Sequence, residues 1–411
     1  MTYRIEADQL IPGRGEPIRD AVLVIDDTIV YAGPAADAPA TPAATVVRAP
    51  TVMPGLWDCH GHFMGIRQPD LSRLPLEELT LRAARVTADL RLALDAGVTT
   101  VREVGGLGIY VNRAIREGSI EGPHLYAAGS CISTTGGHGD LHSYPLAWIE
   151  HFGHMGAELR LADGPDECVR AVREQMRRNA KLIKIFASGG VMSEVDNPIH
   201  QQFTDAEMRA MVEVAGLADR VVAAHCHGKP GLMASIRAGV RTIEHGTYLD
   251  EEVAAAMKEN GVILVPTLTI IAELLDSGLL PPYAKEKMAA IADRHKQAVV
   301  TAHEAGVSVA MGTDVSTSGG GDRPNSWGRN GRELVLLTEV GFTPLEAIET
   351  ATANGPATLG PQAPRSGQLV EGYDADVITV DGDPLSDITL LAQPARITGV
   401  WKAGRRVKAH D

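Results

Sequence analysis

The chain has 411 residues, 44% of them hydrophobic and 22% charged, with a formal net charge of −14. That length supports a large core and more than one structural unit, and the acidic balance argues against nucleic acid or an anionic membrane surface as a main partner. No apolar stretch approaches the ~20 residues that cross a bilayer, MTYRIEADQLIPG at the start has neither the basic nor the apolar part of a secretory signal, and Cys59, Cys131, Cys168 and Cys226 show no CxxC spacing; a cytoplasmic protein with reduced thiols is expected.

Residues 1–52 read as short strands and turns, as in AVLVIDDTIVYAG, and residues 366–411 do the same, as in GYDADVITVDGDP. Between them, strand-like runs alternate with helix-length segments, the pattern of βα units and a parallel sheet. Eight such runs occur, at 52–62, 99–105, 124–130, 182–190, 221–228, 241–247, 263–268 and 308–314. Helical segments such as 70–97 and 203–219 lie between most of them. Eight strands with intervening helices predict an α/β fold, a (β/α)8 TIM barrel over 53–365.

The C-terminal ends of these runs carry the chemistry. Run one ends in His60 and His62, run five in His225 and His227, run six carries His245 and run eight ends in Asp314. Residues i and i+2 of a strand share a face, so each HxH pair points together and Cys59 and Cys226 point away. Asp58 has the parity of His60 and His62 and is a candidate acceptor behind a ligand histidine. One HxH is a weak signal. Histidines at three strand ends with an aspartate at a fourth suggest a divalent metal held by N and O donors, zinc first.

Lys184 stands inside the apolar run LIKIFASGG. A buried ammonium loses its hydration and needs a partner. Either this is an edge strand whose lysine reaches water, or the lysine is not an ammonium.

Here the chain resembles the amidohydrolase superfamily over nearly its whole length. MPGLWDCHGH (53–62), TTVREVGG (99–106), GTDVS (312–316) and GQLVEGYDADVITVDGDPL (367–385) carry the likeness. GPHLYAAGSCISTTGGHGD (122–140), IKIFASGGVMS (183–193) and AHCHG (224–228) are similar to the imidazolonepropionase-like branch. More narrowly, they resemble Xaa-Pro dipeptidases (prolidases) and ochratoxin-hydrolysing amidohydrolases. The resemblance implies a small β-sandwich domain built from 1–52 and 366–411 around the barrel. It implies a CO2-derived carbamate on Lys184 bridging two divalent metal ions, Zn2+ by expectation. One ion would be held by His60, His62 and Asp314, the other by His225 and His245.

The implied enzyme is a binuclear hydrolase of an amide or peptide bond to a carboxylate-bearing amino acid, with a metal-bridging hydroxide as nucleophile and Asp314 as general base and then acid. Its partners are small amide or dipeptide substrates and further copies of itself in a homo-oligomer. His138 lies in the glycine-rich TTGGHGD and is expected to polarise the scissile carbonyl or bind substrate. His227 and Tyr248 are further substrate-contact candidates. Lys229, Arg323 and Arg329 are alternatives for the substrate carboxylate, none preferred. The remaining histidines, His295 and His410 among them, are assigned no role. The segment 315–331 reads as a mobile lid. The competing reading is a cyclic-amide hydrolase or deaminase with a single metal, against which Lys184 speaks.

Overall fold

The computed structural model describes residues 1–321 and 323–409, so Asp322 of the glycine-rich loop and His410 lie outside the described residues. The strands in chain order begin with β1 (Tyr3–Leu10), β2 (Ile18–Ile25), β3 (Ile29–Pro34), β4 (Thr45–Pro54), β5 (Leu56–Ile66) and β6 (Val98–Glu103). There follow β7 (His124–Ala127), β8 (Cys131–Ser133), β9 (Leu159–Leu161), β10 (Ile183–Phe186), β11 (Val222–Cys226), β12 (Thr242–His245) and β13 (Ile263–Val265). The last are β14 (Val315–Thr317), β15 (Val377–Val380), β16 (Ile397–Lys402) and β17 (Arg405–Ala409).

The two chain ends meet in one seven-stranded sheet, in the order β17-β16-β15-β4-β1-β2-β3. Ile5, Leu10, Leu23, Val52, Val377 and Trp401 pack on it. The strand pairing joins both chain ends in one continuous sheet. Its strand β4 ends at Pro54.

The middle of the chain forms two sheets with parallel pairing, β14-β5-β6-β7 and β13-β12-β11-β10-β8-β9. Every residue of β5 is buried, as expected for a parallel strand covered on both faces. Helix α1 (Leu79–Asp95) covers one of them, packing Val86, Leu90 and Leu94 against the core that includes Leu56 and Val101. Where helices start, the sequence supplies the cap. Thr204 and Thr343 each form a reciprocal capping box with a glutamate three residues on, which satisfies otherwise orphaned N–H groups.

Three of the eight expected runs take forms that the sequence did not foretell; the first, 52–62, is divided at Gly55 between β4 of the terminal sheet and β5. The third is a strand only to Ala127: β7 pairs with β6, and a separate strand β8 follows the run and pairs with β10. The eighth is mostly irregular, yet bonded on both sides. Leu264 N donates to Ser308 O at 2.9 Å and Ala310 N to Leu264 O at 3.0 Å, while Cys59 N donates to Met311 O at 2.8 Å and Asp314 N to His60 O at 2.7 Å. Run eight is thus hydrogen-bonded to a strand of each parallel sheet. Strand β9, three residues long, was too short to be read. Among the described residues no helix is long and apolar enough to cross a membrane.

The described part of 315–331 is tied down rather than free. Val315 pairs with Gly61, Ser318 Oγ donates to the buried Asp89, and the Trp327 ring stacks on Phe63 with centroids 3.9 Å apart.

Candidate metal centre

His60, His62, Lys184, His225 and His245 lie on parallel strands, His227 lies one residue past β11, and Asp314 immediately precedes β14. The alternation works as expected on β10: Ile183 and Ile185 enter the core beneath the helices, while Lys184 and Phe186 face a common cavity. His245 and Asp314 do not follow the alternation. Their φ angles are +70° and +59°, and Thr267 nearby has +57°. Left-handed backbone is uncommon outside glycine and collects at functional sites. Here the twist at His245 turns its ring toward the cavity that the preceding Glu244 also approaches.

Two groups of donors result. His60, His62 and Asp314 offer ligand atoms within 4.8 Å of one another, and His225, His227 and His245 do the same. The rings are packed together: His60 to His245 is 5.1 Å between centroids and His225 to His245 is 4.6 Å. Lys184 Nζ lies 3.4 Å from His60 Nε2. It is buried, and burial pushes its pKa down, helped by Arg102 and opposed by Glu244, Cys131 and Asp314. Burial thus shifts its balance toward the neutral amine.

A metal needs lone pairs, so the proton on each ring must sit on the far nitrogen. Hydrogen bonding fixes that for three histidines. His62 Nδ1 lies 2.7 Å from Gly105 O, which can only accept. His60 Nδ1 lies 2.7 Å from the Glu244 carboxylate, which also accepts. For His227 a relay does it. His295 Nε2 donates to Pro266 O at 2.7 Å, so its Nδ1 accepts from Thr247 Oγ1 at 2.9 Å. Thr247 has then spent its proton and accepts from His227 Nδ1 at 2.7 Å. In each ring Nε2 is left bare. Burial holds His60, His138 and His295 down to about 4 and His227 to about 3, and sets His225 and His245 well below the usual range. Burial alone would raise Asp314, but His60, His62 and Lys184 outweigh it and hold the carboxyl low. Imidazole nitrogens with aimed lone pairs and a carboxylate are a donor set that fits a divalent cation.

The sequence reading missed Glu244 and Arg102. Glu244 accepts from Arg102 at 2.7 and 2.8 Å as well as from His60, and both are fully buried. Arg102 Nε also donates to Cys59 O at 2.6 Å. The signal was available: each is a charge inside a strand-like run, as Lys184 is. The carboxylate that meets a ligand ring is thus Glu244 and not Asp58. Asp58 takes the backbone N–H of His60 at 3.0 Å and of Thr313 at 3.2 Å, and the Asn330 amide at 2.7 Å. It holds the backbone under the site.

Of the other candidates, His138 and His227 line the cavity. Tyr248 does not; its ring packs with Val191 and lies 5.5 Å from the Arg294 guanidinium. Lys229 is paired with Asp250 and Glu252, and Arg329 with Glu273. Neither they nor Arg323 line the cavity. Its walls are apolar: Met64, Leu71, Leu159 and Phe186 on one side, Ile270, Leu274, Met288 and Ile291 on the other.

Comparison with known proteins gives this cavity a context. Ochratoxinase of Aspergillus niger is 43% identical over 98% of this chain and 86% of its own length. Its crystal structure superposes with a TM-score of 0.92 at 42% identity, covering 100% of this chain and 96% of the other. A prolidase crystallised with N-methylphosphonate-L-proline gives a TM-score of 0.91 at 31% identity, with both chains fully covered. Imidazolonepropionase of Streptomyces griseus is 25% identical over 96% of this chain and 95% of its own. The model of the amidohydrolase family matches residues 51–407. The chain therefore belongs to the amidohydrolase family, whose name states its reaction class, the hydrolysis of amide bonds.

Proposed function

We propose that this protein is a binuclear metal-dependent amidase that cleaves an amide or peptide bond to a carboxylate-bearing amino acid, ochratoxin-type phenylalanine amides included. The observation that carries the reading is the pair of three-donor groups, with the buried Lys184 3.4 Å from His60, in one apolar-walled cavity. Kinship to ochratoxinase and to a prolidase supports the substrate class.

In this reading His60, His62 and Asp314 hold one ion. His225 and His245 hold the other, with His227 in reach of it. Lys184, whose ammonium burial disfavours, would add CO2 and release a proton, giving an anionic carbamate as a further oxygen donor for the ions. Zinc suits the donor types. When bound, the ions supply an activated water at neutral pH and polarise the carbonyl. Asp314 takes the proton of the attacking water and delivers it to the leaving nitrogen, without which an amine leaves poorly. His138 contacts the substrate from the loop after β8. The apolar walls receive the acyl group or an aromatic side chain and keep bulk water away from the carbonyl.

The scaffold belongs to the same proposal. The hydrogen bonds of run eight to both parallel sheets support a (β/α)8 barrel over 53–365, with a small β-sandwich domain of 1–52 and 366–411. A cytoplasmic homo-oligomer remains the expectation. The test is hydrolysis of a panel of N-acyl amino acids, dipeptides and ochratoxin-like amides by zinc-loaded protein, with the released amino acid quantified. Cleavage of several supports the reading. No cleavage with metal bound would favour the single-metal cyclic-amide or deaminase alternative.

A further inference from the structure

His138 is held by groups that neither the metal sets nor the cavity wall explain. Its Nδ1 lies 2.7 Å from Ser193 Oγ, and Ser193 Oγ donates in turn to Asp196 Oδ1. Asp196 is placed as an acceptor. Its other oxygen takes the Gly190 N–H at 2.8 Å and the Gln202 amide at 3.1 Å, and Lys287 Nζ stands 3.5 Å from Oδ1. Lys287 also pins the loop by donating to Ser193 O at 2.7 Å and Asp196 O at 2.5 Å.

A serine hydroxyl has one proton. Ser193 commits it to Asp196, so toward His138 it can only accept. The ring proton must then sit on Nδ1, and Nε2 is the nitrogen left for the cavity. The ring has no freedom to turn away. It stacks on His225 with centroids 4.5 Å apart, meets Phe186 edge-on at 4.7 Å, and a Cβ at Gly190 would come within 2.1 Å of it.

We infer that Ser193 and Asp196 are positioning residues that lock the proton of His138 on Nδ1, and that its bare Nε2 accepts the N–H of a secondary-amide substrate. The inference rests on the amidase reading and sharpens its substrate class. An acceptor at this place recognises amides that carry a proton on nitrogen. It gives nothing to tertiary amides, of which an Xaa-Pro bond is one.

The test compares an N-acyl-phenylalanine with its N-methyl counterpart in the zinc-loaded wild type, Ser193→Ala and Ser193→Thr. The wild type should prefer the N–H compound in kcat/KM. Ser193→Ala should shrink that preference by about tenfold, the weight of one lost hydrogen bond, with zinc content unchanged, and Ser193→Thr, which keeps the hydroxyl, should restore it. An unchanged preference in Ser193→Ala, or equal loss on both compounds together with zinc, would overturn the inference. Imidazole 15N NMR, with His138→Gln to identify the signal, reads the lock without turnover: Nδ1–H in the wild type and a tautomer mixture in Ser193→Ala. A mixture in the wild type would overturn the lock. Cleavage of neither compound would overturn the amidase reading and the acceptor role, while the NMR signal would still decide the lock.

Discussion

The Nδ1 nitrogen of His60 lies 2.7 Å from Glu244 Oε2, and the same carboxylate receives Arg102 at 2.7 Å. One buried anion thereby orients a candidate ligand ring and neutralises an arginine from a third strand. Glu244→Gln keeps the shape and removes the charge. Metal retained after dialysis and amidase rate should both fall roughly 10–100-fold. The fold should also lose about 3 kcal/mol in a denaturant titration, because Arg102 is left buried without its partner. Unchanged metal retention would take Glu244 out of the site.

Lys184→Ala tests the link between the two donor groups. The expected result is loss of metal, read by elemental analysis, and a fall in activity of more than about a hundredfold. Full metal content with full rate would remove the bridging role.

Asp314→Asn keeps an oxygen for a metal but gives up the base. The rate should drop about 10²–10⁴-fold in kcat while KM changes little. A loss confined to KM would make Asp314 a binding group instead.

Asp58 is a backbone anchor, so its substitution should read out as stability before chemistry. Asp58→Ala strands the N–H groups of His60 and Thr313 and the Asn330 amide. A loss of about 3 kcal/mol or more is expected in urea. A stability within about 0.5 kcal/mol of wild type would contradict this role.

Glu103 gives a pH signature. Burial raises its carboxyl to about 8, and its Oε2 has no hydrogen-bond partner among the described residues. The folded state therefore holds a proton that the unfolded chain releases near 4.5. Stability should decline as pH rises from about 4.5 to about 8. Glu103→Gln has no proton to lose there, and its denaturation midpoint should vary less across that window. Parallel profiles for the two proteins would show that Glu103 is ionised in the fold.

The alternation of strand and helix was legible in the sequence because βα units switch hydrophobic period at each boundary. So was the placing of each HxH pair on one face, since period-two geometry leaves no choice. The end of the third run at Ala127 was not legible, because the small residues of AAGS continue the strand-like pattern. Nor was the cavity-facing ring of His245. Glu244 and His245 are adjacent, and simple alternation would send them to opposite faces; a φ of +70° lets both serve the site.

By itself the sequence determined the donor types, their order along the strands, the lysine out of place in an apolar run, and the family likeness. All of these are local or cumulative in the chain. Only the tertiary structure decided which carboxylate meets which ring. Glu244 to His60, Asp58 to the Thr313 backbone, and Asp196 through Ser193 to His138 join parts of the chain separated by up to 255 residues. Hydrogen bonds act over about 3 Å, so folding alone selects the partner, and with it the nitrogen that carries each proton.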